Sequence, residues 1–195
     1  MTRAGRAKDN LITWGRAASP FGRVVLALTG KGVCLLSFGG NTSEELAWVK
    51  KKFPGCVFVC NTKMVKVLAE KVFNPGTKRG EIELDLRGTD FQRKVWKALQ
   101  RIPFGETVSY EQVAIAAGNR KAVRAAAGAV ANNPVAYLVP CHRVIKKNGD
   151  IHNYAAGKKR KKAMLLWESR EKKKIRRFWK STGLKTIKGQ DTITK

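Results

Sequence analysis

Acidic residues are scarce in this chain. Fourteen Asp and Glu stand against 40 Lys and Arg in 195 residues, leaving a formal charge of +26 at neutral pH. A field of that size draws polyanions, nucleic acid before anionic membrane. The excess is +8 over residues 1–87, +6 over 88–157 and +12 over 158–195, so it runs along the whole chain and is densest at the C-terminal end. Long apolar runs are also missing. No stretch approaches the ~20 residues a transmembrane helix requires, and Met1–Asn10 is basic without the apolar run of a signal peptide. An intracellular location with no membrane partner is therefore expected. Histidine occurs twice (His142, His152) and cysteine four times (Cys34, Cys56, Cys60, Cys141), which reads as reduced thiols. Cys56 and Cys60 have the spacing of two zinc ligands, but CVFVC alternates like a strand and has no partner pair, so no metal is expected. What the chain does have is 43% hydrophobic residues, enough for a packed core in one large domain or two small ones.

Residues 11–39 carry short apolar runs broken by turn signals. Leu11–Trp14, Arg23–Leu28 and Gly32–Phe38 read as strands, joined through Ser19-Pro20-Phe21-Gly22 and Thr29-Gly30-Lys31-Gly32. Ser43 reads as the N-cap of a helix over Glu44–Phe53, Cys56–Cys60 as a strand, Met64–Phe73 as an amphipathic helix, and Ile82–Leu86 as a last short strand. Residues 1–87 thus form a small α+β unit. From Asp90 the pattern turns helical. Asp90 reads as the cap of a helix through Gln100. Ser109, with Gln112 at the third helical position, has the capping-box signature of a second helix, ending near Ala117. A third helix over Lys121–Ala131 follows after a Gly-containing turn, the outline of a helix-turn-helix. A helix around Lys158–Glu168 precedes a basic, flexible tail from residue 171 onward.

The third helix reads KAVRAAAGAVA over 121–131. Its small residues suit either close packing of a neighbouring helix or entry into a narrow groove. The B-DNA minor groove is only ~6 Å wide, and a single Arg in such a face reaches the base stack. Composition leaves these two readings even. The stretch Asn132–Ile145 sets Cys141 after an apolar run and directly before His142 and Arg143. A nucleophilic Cys needs such company, because the thiolate is the reactive form and a base or positive charge favours it. A lone Cys-His pair, however, does not decide between a nucleophile and a buried structural thiol.

Pro140-Cys-His-Arg-Val144 resembles the signature of the O6-alkylguanine-DNA alkyltransferases. Phe91-Gln-Arg-Lys-Val-Trp96, Ile102-Pro-Phe-Gly-Glu-Thr-Val-Ser-Tyr110 and Ala131-Asn-Asn-Pro134 resemble that family's other blocks in order and spacing. The likeness is firm from about Asp85 to Glu168. Over residues 11–74 it extends only in outline to the family's ribonuclease-H-like domain. It implies an α/β protein, with a ribonuclease-H-like domain and connecting segment over 1–87 and a mainly helical DNA-binding and alkyl-transfer domain over 88–170.

The resemblance also implies roles. Cys141 accepts the alkyl group of O6-alkylguanine, and by extension O4-alkylthymine, in double-stranded DNA. His142 takes the thiol proton through a water, and Glu168 orients His142. Tyr110 donates a proton toward the departing base, and Asn133 stabilises the turn leading to the active-site segment. Arg124 is the finger that fills the gap left by the flipped nucleotide. Lys121, Ala122, Ala125, Ala127, Gly128 and Arg143 complete the DNA face in the minor groove. Val144, His152, Tyr154, Ala155 and Ala156 join Tyr110 around the substrate pocket. No metal or organic cofactor is implied, and the protein is expected to act as a monomer, once per molecule. Two positions depart from the pattern. His152 stands where the family has Gly before the lid Tyr, and Ala155-Ala156-Gly157 replaces a small-Gly-Gly run, so bulk is added beside the pocket. The main rival is a non-enzymatic alkyl-lesion binder of the alkyltransferase-like kind, which lacks the Cys. A major-groove transcription factor would need polar readers where Ala125, Ala126 and Ala127 stand, and a Cys protease would need a family signature that is absent.

Overall fold

The computed structural model describes residues 10–39, 42–74, 77, 80–151 and 154–182. It is a mixed α/β protein built from one four-stranded sheet and several helices. Strands β1 (Leu11–Ala17), β2 (Val24–Thr29), β3 (Gly32–Phe38) and β4 (Val57–Cys60) form the sheet in the order β3-β2-β1-β4. The first three pair antiparallel through tight turns, whereas β4 pairs parallel with β1. β2 and β3 are buried on both faces because each side of the sheet carries a helix. Helix α1 (Thr42–Lys52) closes one side with Val49 over Ile12, Val25, Ala27, Cys34 and Leu35, joined by Phe53 just beyond its end. Helix α2 (Thr62–Phe73) closes the other with Val65, Ala69, Val72 and Phe73. Gly15 permits the second contact, since a Cβ there would sit 3.0 Å from the Thr62 backbone. Gly32 is required twice over. Its φ is +135°, and a Cβ would fall 2.3 Å from the carbonyl oxygen of Glu83.

Five helical and loop elements build the second half: α3 (Asp90–Gln100), α4 (Tyr110–Ala116), α5 (Val123–Ala131), a 3-10 turn (Cys141–Arg143) and α6 (Lys158–Thr182). α3 and α4 both start in complete capping boxes, Thr89 with Gln92 and Ser109 with Gln112. α3 packs on α5, where the Trp96 indole N–H donates to the Ala129 carbonyl at 2.9 Å. A small parallel pair, β5 (Val108–Ser109) with β6 (Val144–Ile145), ties the start of α4 to the chain leaving the 3-10 turn. The two halves meet at the edge of β3. There Leu36 N–H donates to Pro134 O at 3.0 Å, and Ala136 N–H donates back to Leu36 O at 2.9 Å. The sheet thereby anchors the segment that leads to Cys141.

Several local expectations change. Ser43 lies inside the first helix, which starts at Thr42, instead of capping it. The cap of α3 is Thr89 rather than Asp90, because the side chain one position earlier reaches the Gln92 amide. Ile82–Leu86 makes only a single bridge, Leu84 to Val33, instead of a strand. α5 begins at Val123, two residues later than Lys121, with Ala122 offering no side-chain cap. The last helix does not stop near Glu168 but continues to Thr182, into the segment expected as a flexible tail. Its continuation docks on the body, with Lys172 against Gly105 and its ammonium 3.0 Å from Glu106.

Candidate active site

Cys141 opens the 3-10 turn and is 5% exposed. Asn133, at the end of α5, holds it from one side. The amide Nδ2 donates to Val139 O at 2.7 Å and to Cys141 Sγ at 3.0 Å, while Oδ1 accepts from Val135 N–H at 3.1 Å. One side chain therefore closes the turn and solvates the sulfur. The Tyr154 hydroxyl lies 3.9 Å from Sγ on the other side. Burial pushes the Cys141 thiol up, against Asn133, Tyr154 and the Lys161 ammonium, which favour the thiolate. The resting group is a thiol that needs a base.

The next residue in the chain carries an imidazole. His142 is fully buried, with Nε2 2.8 Å from Glu168 Oε1. Burial lowers the imidazole pKa against the opposing pull of Glu168, so the ring is neutral at neutral pH. Its Nδ1 is the single buried side-chain nitrogen or oxygen among the described residues without a hydrogen-bond partner. Glu168 is completely buried too. Burial alone would raise its carboxyl, but hydrogen bonds from His142 and Arg143 overturn that and hold it at about 2. Arg143 grips both carboxylate oxygens, with Nε donating at 2.9 Å and Nη2 at 2.8 Å, and Nη1 donates to Ile102 O at 2.7 Å. Gly105 N–H donates to the same carboxylate at 3.0 Å. A buried ionised Glu is tolerable only with such compensation.

Several expected residues therefore come together: Cys141, His142, Glu168, Asn133 and Tyr154. Tyr110 stands at the first position of α4. Burial first, and then the charge Cys141 would carry as a thiolate, raise its phenol, so the hydroxyl is protonated at neutral pH. Tyr110, Val123, Ser109 and Lys147 wall an open depression of about 410 Å³. Val144 is buried in β6, Ala155 is exposed and Ala156 half-buried. His152 lies outside the described residues. Lys121, Arg124, Ala125 and Gly128 are exposed, Ala122 and Ala127 half-buried, and no atom stands within 4 Å of where a Cβ on Gly128 would be. Arg143 must be corrected. Instead of lying on a DNA face it is 6% exposed, and its donors are committed to Glu168 and Ile102. A guanidinium in that position holds the buried Glu168 carboxylate and does not reach phosphate.

Two residues of the site escaped the sequence reading. Lys161 is 1% exposed; its ammonium donates to Val144 O at 2.5 Å and burial lowers its pKa. Tyr137 lays its ring parallel to the His142 imidazole, with centroids 5.9 Å apart and planes 9° apart. Neither stands in a signature; a buried Lys one helical face from Glu168 was the one available hint for the first.

Fold and site together define a protein with a desolvated thiol next to a buried His–carboxylate pair, and a helix whose exposed face carries small residues and Arg124. A family model for the DNA-binding domain of 6-O-methylguanine DNA methyltransferase matches residues 90–170. The chain is 36% identical over 149 residues to the inducible methylated-DNA–protein-cysteine methyltransferase of Bacillus subtilis, covering 74% of this chain and 83% of that protein. It is 36% identical over 165 residues to the bifunctional transcriptional activator/DNA repair enzyme Ada of Escherichia coli, covering 83% of this chain and 47% of Ada. Among solved structures, Mycobacterium tuberculosis OGT in complex with DNA aligns with a TM-score of 0.66 and 36% identity, over 81% of this chain and 93% of that one. The chain belongs to the methylated-DNA–protein-cysteine methyltransferase family. It spans about half the length of the first curated relatives it matches.

Proposed function

We propose that this protein repairs DNA by moving the alkyl group of O6-alkylguanine, and of O4-alkylthymine, onto Sγ of Cys141, once per molecule. The observation that carries this is the unpartnered Nδ1 of buried His142, next in the chain to a buried thiol. Glu168 fixes the proton of His142 on Nε2, which leaves Nδ1 as the acceptor. A water between Nδ1 and Sγ then relays the thiol proton to the imidazole. Sulfur attacks the alkyl carbon, the S–C bond forms and the O6–C bond breaks. The released electron pair goes to the guanine, which takes a proton from Tyr110 and leaves neutral. The imidazolium proton returns through solvent to the Tyr110 phenolate, so that thiol and alkylguanine have become thioether and guanine with both side chains restored. Water does not readily displace the thioether, so turnover is single. No metal or organic cofactor takes part.

The reacting carbon lies inside the base stack, so the nucleotide must flip, at a cost of about a few kcal/mol that a damaged pair reduces. We read α4 and α5 as a helix-turn-helix whose exposed Lys121, Arg124, Ala125 and Gly128 enter the minor groove of duplex DNA, with Arg124 filling the vacated space. Residues 1–87 are read as the ribonuclease-H-like domain, 88–170 as the catalytic domain and 171–182 as a basic extension of α6. The protein is read as an intracellular monomer that works on DNA. A lesion-binding, non-enzymatic role is disfavoured because Cys141 is present and solvated by Asn133. The test is intact-protein mass after incubation with a duplex holding one O6-methylguanine. A gain of one methyl group per molecule supports the reading, and unchanged mass with the duplex bound supports the lesion binder.

A further inference from the structure

α6 repeats every 3.6 residues, so Lys159, Lys162, Arg170, Lys173 and Arg177 fall within about an 80° sector opposite Glu168. All five are exposed. None has an ion-pair partner among the described residues. The nearby acids are spent at the margins of that sector: Asp150 on Lys158 at 3.5 Å, Glu106 on Lys172 at 3.0 Å and Glu171 on Lys174 at 2.7 Å. The result is an unneutralised line of charge about 27 Å long, at 1.5 Å per residue. The inner side of the same helix holds Glu168 and Met164 in the core, so the body of α6 separates the line from the thiol and its relay.

We infer that this outer face of α6 binds the phosphate backbone of a second DNA segment, distinct from the one entered by α5. The inference rests on the DNA repair reading for the first segment. Charge complementarity selects a rod-like polyanion, since the line is straight and sequence-neutral. A membrane surface fits poorly. An interfacial helix needs a free apolar face, whereas Met164 is buried, Leu165 and Trp167 are half-buried, and Leu166 alone is an apolar side chain in the outer sector.

The test uses the full chain, bead-anchored plain duplex and a labelled free duplex at low salt. Native protein is expected to bridge the two. The variant Lys159→Gln, Lys162→Gln, Arg170→Gln, Lys173→Gln, Arg177→Gln should bridge at least about tenfold less, since each lost phosphate contact also removes ~0.9 from the salt slope. Its helicity and its methyl transfer from a single short duplex should be unchanged, which separates this inference from the repair reading. A milder Lys162→Gln, Lys173→Gln pair should lose part of the bridging, and it serves if the fivefold variant misfolds. Bridging that survives in both variants overturns the inference. So does native protein that binds phosphatidylserine vesicles but never two duplexes.

A separate observation concerns the base. Tyr137 has φ +70°, the only positive φ at a non-glycine among the described residues, and for a bulky side chain this costs about 1–3 kcal/mol. Its neighbours hold it there, because Ala136 is paired with Leu36 and Leu138 N–H donates to Ala136 O at 2.9 Å. The strained backbone lays the ring flat on His142. A single hydrogen bond at Nε2 lets an imidazole rotate about the axis to Glu168, which would swing Nδ1 away from the sulfur. The groups facing His142 are Glu168, Arg143, Lys161 and Cys141, and none of them fixes its plane.

We propose that Tyr137 is a positioning residue that sets the plane of His142 and so aims Nδ1. Phe73, Phe21 and Trp167 brace it at centroid distances of 4.7, 5.9 and 6.4 Å. Tyr137→Phe should transfer a methyl group within about twofold of native. Tyr137→Leu should be about tenfold slower, a loss of ~1.4 kcal/mol, with unchanged affinity for the base. In the Leu variant the imidazole, read by nitrogen NMR without substrate, should titrate closer to the ordinary His value. Tyr137→Gly, which relieves the backbone strain but deletes the ring, should be as slow as Leu. Native rates and an unmoved imidazole titration in the Leu and Gly variants overturn the proposal, whereas an inactive native protein would count against the repair reading instead.

Discussion

Two buried thiols, one in each half of the molecule, show what burial alone does not provide. Cys34 in β3 is 1% exposed and Cys141 is 5% exposed. Burial raises both. In the sheet, Asp85 adds to the effect, and Cys34 is pushed up to about 12 while its thiol donates to Ala27 O at 3.4 Å. In the helical half, Asn133 and Lys161 pull the other way and a buried imidazole nitrogen without a partner stands one residue on. On the repair reading, Cys34 is packing material and Cys141 the reagent, because of the partners around each sulfur. The sheet contributes to the chemistry indirectly, by holding the Pro134–Ala136 backbone at its edge.

The comparison is broken most severely at the nucleophiles. Cys141→Ser should abolish methyl transfer, whereas Cys34→Ala should keep the native rate per folded molecule and lose about 1–2 kcal/mol of stability. Single-turnover rates with a methylated duplex, alongside thermal melts, decide this. Glu168→Gln comes next. It keeps the shape but removes the charge that orients His142, and the transfer rate should fall on the order of 10²–10³-fold. It should also destabilise the protein, because Arg143 is left buried without its carboxylate. A variant that transfers at the native rate would remove Glu168 from the relay.

Acid sharpens the contrast through linkage. Glu168 is held at about 2 against an ordinary 4.5, so its contribution, about 3 kcal/mol, is complete above pH 4.5 and is lost as pH falls toward 2. The lowered His142 acts earlier. Below its ordinary 6.5 the unfolded chain takes up a proton that the buried ring refuses, so stability declines from there downward. Denaturant midpoints from pH 8 to pH 3 should fall in that order. A Glu168→Gln protein should lose the lower-pH part of the decline. The smallest effect on chemistry is expected in the sheet. Gly32→Ala should destabilise on the order of 2–3 kcal/mol, from the clash with Glu83, with the transfer rate of the folded fraction unchanged.

Locally encoded features were legible in the sequence. The Ser109/Gln112 capping box, the three antiparallel strands and the blocks around Tyr110, Asn133 and Cys141 all rest on neighbours within a few residues. Features with distant partners were not. Arg143 reads as a surface cation until Glu168, 25 positions away, is placed beside it. Lys161 meets its carbonyl across 17 positions. β5 and β6 have two residues each, too few for a period to register. α6 outran its expected end because its basic continuation, which sequence reading takes for disorder, docks on Gly105 and Glu106.

The most direct test of the contrast between the two halves is the position of the transferred group. The protein would be reacted to completion with a duplex holding O6-methylguanine, digested and mapped by tandem mass spectrometry. All of the methyl is expected on Cys141, with Cys34, Cys56 and Cys60 unmodified. Methyl on any of those three, or none on Cys141 in a protein that has gained mass, would contradict the account.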